Sequence, residues 1–61
     1  MKGLNVGDLV TDEYSERGII TETDASKHPD YVQVTFFGGI YGTVICEVHE
    51  KFLILISGKG L

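Results

Sequence analysis

The chain has few of the residues that small proteins use as covalent or metal cross-links. It contains one cysteine, Cys46, so no disulfide can form within it. Its two histidines, His28 and His49, stand without the paired ligand spacing of a zinc site, so we expect no metal and no cofactor. The 61 residues therefore predict a single domain, 1–61, of marginal stability that depends on packing or on a partner subunit.

Positive charge and long apolar runs are also scarce. Five Lys and Arg oppose nine Asp and Glu, giving a net charge of −4, and the basic residues are scattered, which disfavours nonspecific nucleic-acid binding. No run approaches the ~20 apolar residues of a membrane span. The amino end, MKGLNVGDLV, lacks the apolar core of a signal peptide. We therefore expect a cytoplasmic protein with no membrane partner.

Strand-like runs recur along the chain, and no segment sustains the 3.6-residue apolar period of an amphipathic helix. GDLVTDE opens the pattern, and RGIITET follows it with Gly18 as a bulge or bend at its entry. Between them, residues 12–17 form a polar loop. Residues 24–30 are rich in turn formers and form a second loop.

The middle of the chain predicts a β-hairpin. YVQVTF alternates so that Val32, Val34 and Phe36 share one face. Gly38 and Gly39 then supply the positive φ angles of a tight turn, and the loop is about two or about four to five residues long, depending on where the next strand begins. In that strand, GTVICEV, one face is assigned to the core and carries Val44, Cys46 and Val48.

The end of the chain predicts a short helical turn and a last strand. HEKF is too short for an α-helix and fits one 3₁₀ turn, and LILIS follows as a strand. Together these segments predict an all-β fold, a small five-stranded antiparallel sheet that bends and closes into a barrel with a 3₁₀ turn before the last strand.

This order resembles the SH3-like barrel of the Tudor and KOW type. The matching pieces are VGDLV, TDEYSERGII, YVQVTFFGGIYGTVICEV and VHEKFLILIS, which span nearly the whole chain. The chain is also similar to small bacteriophage proteins with a Gly-Asp start, an ERGII-type second strand and a VHEKFL-type close. That likeness implies the host cytoplasm as the location. Such proteins often carry a tryptophan on the third or fourth strand, and this chain has none.

The resemblance implies a ligand groove between the first long loop and the hairpin of the third and fourth strands. Aromatic rings beside carboxylates can hold a cationic group or pack against an extended peptide. The alternative is that the tyrosines only cover the ends of a small barrel, whose core is too thin to hide every ring. The matching positions are Tyr14, Phe37, Ile40 and Tyr41, together with Asp12, Glu13 and Glu16.

The sequence gives little support for a catalytic site. Cys46 and His49 form the one tempting nucleophile and base, but the alternation places Cys46 in the core, where a thiol is inert. The glycines at 38, 39 and 42 have no neighbouring lysine or helix start, which favours a turn over a phosphate loop. The carboxylates of the first half, Asp8 among them, fit a solvated rim. We therefore expect no enzyme.

Excess aliphatic side chains on the last two strands indicate a contact between subunits. Ile45 lies opposite the predicted core face, and both faces of LILIS are apolar, so Ile45, Ile54 and Ile56 are candidate interface residues. Three roles remain open. The preferred one is a non-enzymatic module that binds a protein segment through the aromatic and acidic groove, and another is a purely structural homo-oligomerising subunit. The third is a KOW or Tudor-like nucleic-acid module, which requires convergence of Arg17, Lys27, His28 and Lys51.

Overall fold

The computed structural model describes residues 4–24, 27–39 and 42–58. These residues confirm the all-β prediction and the 3₁₀ turn before the last strand. Within them, no helix has the length and hydrophobicity that crossing a membrane requires. The elements in chain order are β1 (Leu9–Thr11), β2 (Arg17–Thr23), β3 (Tyr31–Gly39), β4 (Gly42–His49), the 3₁₀ turn Glu50–Phe52 and β5 (Ile54–Ser57).

The strands form one antiparallel sheet in the order β4-β3-β2-β1-β5. In this order β4 and β5 are the two edges of an open sheet, and closure into a barrel stays a prediction. From β1 to β4 each strand pairs with the next one in the sequence, and β5 returns to pair with β1. Each edge leaves backbone groups available for pairing with another chain.

The core lies on one face of this sheet. Its buried residues are Val10, Ile20, Val32, Val34, Phe36 and Leu53. The alternation predicted for β3 is therefore confirmed: its even-numbered apolar residues are buried, and the residues between them are partly exposed. Leu4 and Val48 pack against the edge of this cluster.

Gly18 allows the core strands to approach each other. It pairs in regular register with Val10 on one side and Phe36 on the other, so the predicted bulge at this position is wrong. The irregularity of β2 falls between Ile20 and Glu22 instead. A Cβ atom on Gly18 would lie 2.5 Å from Cγ1 of Val34, so this position has no room for a side chain.

The hairpin of β3 and β4 follows the later of the two predicted starts of the fourth strand. Gly38 and Gly39 belong to β3, and the last pair of the ladder is Gly39 with Gly42, so a two-residue turn at the two glycines is wrong and a fourth strand that begins only at Gly42 is confirmed. Gly38 has φ of 88°, and the register shifts between Phe36 and Gly39, so this glycine accommodates an irregularity within the strand. β3 ends at Gly39 and β4 begins at Gly42, and residues 40 and 41 lie outside the described residues.

The predicted burial of β4 is wrong for Val44 and Cys46, whereas Val48 is partly buried and packs against the core. Cys46 stands opposite Val34 and Val44 opposite Phe36, so both lie on the core-side face, yet both are exposed. The reason is topological: β4 is an edge strand, and of its core-side residues Val48, near the end of the strand, is the one that packs against the core. Cys46 is therefore an exposed thiol instead of the buried, inert one that the alternation predicted.

Asp8 also departs from the prediction of a solvated carboxylate. It is 2% exposed, and its Oδ2 accepts the backbone N–H of Asn5 at 2.7 Å. The Asp8 N–H in turn donates to the Asn5 carbonyl at 3.0 Å. The side chain therefore closes the turn that leads into β1, which is a structural role.

Candidate functional site

A groove opens on the core-side face where the sheet ends at β4. We call it the Tyr14 groove, and it has a cavity volume of about 250 Å³. One wall comes from the β1–β2 loop, the floor from β3 and β4, and the far end from the 3₁₀ turn. The lining residues are Asp12, Glu13, Tyr14, Phe36, Cys46, Val48 and Phe52.

The acidic wall is held in place by Asp12. Its Oδ1 accepts the backbone N–H of Tyr14 and that of Glu16, both at 2.9 Å, and its own N–H donates to the Glu16 carbonyl at 3.0 Å. Ser15 takes a positive φ of 67° at the tip. These bonds fix a tight loop that presents the Tyr14 ring, 78% exposed, beside two carboxylates.

The apolar floor follows from the register of β3 with β4. Val32 stands opposite Val48, and Val34 opposite Cys46, so the side chains of both pairs share the core-side face. Phe36 is 6% exposed and Val48 is partly buried, whereas Cys46 is exposed. The floor is thus the rim of the core, left uncovered because no further strand follows β4 in the described sheet.

The far end is built by the 3₁₀ turn. The Nδ1 atom of His49 accepts the N–H of Lys51 at 3.2 Å, and the buried Leu53 follows directly and anchors the turn to the core. The rings of His49 and Phe52 meet edge to face with centroids 6.3 Å apart, and the Lys51 Nζ lies 5.2 Å from the Phe52 centroid. Phe52 is 47% exposed and closes the groove.

The structure divides the predicted ligand site into two parts. Asp12, Glu13 and Tyr14 line the Tyr14 groove. Glu16 and Phe37 line a separate, larger depression of about 400 Å³ with Ser15, Arg17 and Gly38. The separation arises because Phe37 follows Phe36 in β3 and consecutive strand residues point to opposite faces. The predicted residues Ile40 and Tyr41 lie outside the described residues.

Four lining residues were missed by the sequence reasoning. Phe36, Cys46 and Val48 were assigned to a closed core, and Phe52 to a short turn without a role. The alternation had already placed the first three on one face. What the sequence did not indicate is that β4 is an edge, which turns this part of the core face into an accessible surface.

The other candidate groups converge only in part: the ring of His28 lies 6.5 Å from that of His49, at the Lys51 end of the sheet, whereas Arg17 lies at the other end. Ile45 on β4 is 64% exposed, and Ile54 and Ile56 on β5 are 63% and 46% exposed, but β4 and β5 are opposite edges of the sheet. Arg17 stands opposite Phe37, whereas Lys51 follows His49, which stands opposite Tyr31. The span of β3 between those two levels is about 20 Å, so Arg17 and Lys51 belong to different ends of the sheet.

Metal binding finds no donor set in the described part of the chain. No group of three or more His, Cys, Asp or Glu there could hold an ion. No protein-family model matches the sequence, and neither does any curated protein or any solved structure.

Proposed function

We propose that this protein is a non-enzymatic binding module that holds a segment of another protein in the Tyr14 groove. The proposal rests on one observation: the apolar floor of the groove is open to solvent and lies directly beside an acidic loop with an exposed tyrosine. Small ligand sites in proteins combine a mostly apolar surface with a few placed polar groups, and this groove has both.

The chemistry of the groove defines the segment that it fits. A bulky aliphatic or aromatic side chain would cover Cys46, Val48 and Phe52 and remove their apolar surface from water, at a gain of about 25 cal/mol per Å². A Lys or Arg next to it would reach Asp12 and Glu13 and lie over the Tyr14 ring, an attraction of about 0.5–1 kcal/mol at an exposed site. The acidic net charge of the chain favours the same basic partner.

The architecture is consistent with an SH3-like module. Five antiparallel strands with a 3₁₀ turn before the last one are the elements that the resemblance implies, and the groove borders the first loop, where that resemblance places ligands. The exposed thiol of Cys46 suits a reducing compartment such as the cytoplasm. A nucleic-acid role is less favoured, because Arg17 and Lys51 lie at different ends of the sheet.

The experiment selects ligands without assuming one. A displayed library of random twelve-residue peptides is panned against the wild-type protein, and the enriched peptides are synthesised and titrated by calorimetry. We expect sequences in which Lys or Arg adjoins a bulky apolar residue. The double variant D12N/E13Q keeps the acceptor oxygen at position 12 and should weaken their binding about tenfold, the equivalent of about 1.4 kcal/mol for two lost charges.

A matched control separates a local effect from the loss of net charge. The double variant E22Q/D24N removes the same two charges away from the groove and should leave the affinity within about twofold. The proposal fails if the library yields no enriched peptide. It also fails if the enriched peptides bind D12N/E13Q as tightly as the wild type.

A further inference from the structure

The two edges of the sheet differ in how well they are protected. β5 is a four-residue strand with an irregular register against β1. β4 has eight residues, keeps an unbroken register with β3 from Val44 to His49, and is exposed over Gly42–Glu47. Its sequence, GTVICEVH, has no proline, lysine or arginine. Natural proteins protect their edges with these residues, with bulges or with short strands, so β4 is an edge suited to pairing.

The hydrogen-bonding pattern shows which backbone groups β4 turns outward. The Ile20 N–H donates to Asp8 at 3.0 Å and its carbonyl accepts from Gly7 at 2.8 Å, so both groups point toward β1. Hydrogen-bonded and non-hydrogen-bonded pairs alternate across an antiparallel sheet. The backbone N–H and C=O of Val34, which stands opposite Ile20, therefore point toward β4, and those of Cys46, opposite Val34, point toward β3. Ile45 therefore directs its N–H and C=O away from β3.

We propose that β4 pairs antiparallel with β4 of a second copy of this chain, with Ile45 at the twofold axis. In this register Ile45 faces its own equivalent on the outer face, and the two central residues exchange both backbone hydrogen bonds. Val44 then faces Cys46 of the partner subunit on the core-side face. Thr43 faces the partner subunit's Glu47, a pair that can hydrogen-bond. Each cross-strand pair is thus apolar with apolar or polar with polar.

The neighbouring registers are less favourable for the same strand. Centring the pair on Cys46 would place each Ile45 opposite a Glu47 carboxylate. Centring it on Glu47 would place two like charges directly opposite each other, which destabilises a sheet. The self-complementary register therefore selects a second copy as the occupant of this edge. The inference does not rest on the proposed binding of a peptide. In the dimer the Tyr14 grooves of the two copies lie on the same face of the joined sheet.

The first experiment compares two isoleucines of equal exposure on the two edges. Sedimentation velocity is run on wild type, I45K and I54K from 5 to about 500 µM, a range that covers weak dimers. We expect wild type and I54K to reach twice the mass of one chain, and I45K to stay monomeric, because two lysines would face each other at the axis. Wild type that stays monomeric throughout, or I54K that dissociates as I45K does, would overturn the proposal.

A cross-linking experiment tests the register and does not depend on I45K. In the proposed pairing, residue 44 lies about 4.5 Å in Cα distance from the partner subunit's Cys46, which a disulfide can bridge. The two native Cys46 residues are diagonal at about 7–8 Å, which it cannot bridge without backbone movement. Under mild oxidation V44C should therefore form a covalent dimer, and the wild type should not. Cross-linking of the wild type, or none in V44C, would contradict the register.

Discussion

Gly18 lies where the central strands leave no room for a side chain. A Cβ atom there would lie 2.5 Å from Val34 Cγ1, 2.9 Å from Phe36 Cδ1 and 2.9 Å from the Thr35 carbonyl oxygen. The carbonyl belongs to the backbone of β3 and cannot rotate away. Val34 is fully buried and has a stiff χ1, so it has no space to retreat into. We therefore predict that Gly18→Ala forces the central strands apart.

The magnitude follows from these contacts. Overpacking of a filled core costs about 1–3 kcal/mol, and three contacts below 3.0 Å place Gly18→Ala near the upper end. Alanine recovers about 0.5–1 kcal/mol through the lower entropy of the unfolded chain. The net loss is about 2 kcal/mol. For a domain of this size it lowers the midpoint of thermal unfolding by about 8–16 °C.

Urea and thermal unfolding followed by circular dichroism measure this loss at one protein concentration. Gly38→Ala is the control: its Cβ would meet nothing within 4 Å, so its cost is confined to the φ of 88°, about 1 kcal/mol. A loss for Gly18→Ala smaller than that for Gly38→Ala would refute the reasoning. It would show that β2 and β3 do not approach as closely at this pair as the register requires.

Three further predictions follow from the same structure. Val34→Ala should cost about 2 kcal/mol of unfolding free energy in urea, because a fully buried side chain loses two methyl groups, whereas the half-exposed Val6→Ala should change it by less than about 0.5 kcal/mol. Asp12→Ala removes the acceptor of two loop N–H groups and should lower stability by about 1 kcal/mol, with Asp12→Asn near wild type; equal losses in both would assign the effect to charge. Cys46 should react fully with a thiol reagent in the folded protein at a concentration where the chain is monomeric, and protection until unfolding under that condition would return it to the core.

The sequence predicted the fold correctly where the residues next to a position along the chain determine whether that position is buried. The alternation of Val32, Val34 and Phe36 requires only that one face of a strand be buried, and it is confirmed. The 3₁₀ turn was predictable from its length. The position of the hairpin turn was not, because a Gly-Gly pair suits a turn and a strand irregularity equally well. Only the pairing of Gly39 with Gly42 decides between them.

The candidate site was predictable only in part, for a reason that concerns topology. Asp12, Glu13 and Tyr14 stood out because an aromatic ring beside carboxylates in a loop has a chemical meaning of its own. Cys46 and Val48 carry the same alternation as a core strand. The exposure of Cys46 and the partial exposure of Val48 depend on which strand lies at the edge of the sheet, and that is a long-range property of the chain. In the sequence, exposed apolar residues of an edge strand therefore show the same alternation as buried residues of a core strand.

The binding claim is tested most directly by mapping the groove in solution. Amide ¹H–¹⁵N spectra of the wild-type protein are recorded during titration with the tightest peptide from the library selection. We predict that the largest shifts cluster at Glu13, Tyr14, Cys46, Val48 and Phe52. Shifts that centre instead on Glu16, Arg17 and Gly38, or that spread evenly over the sheet, would contradict the account.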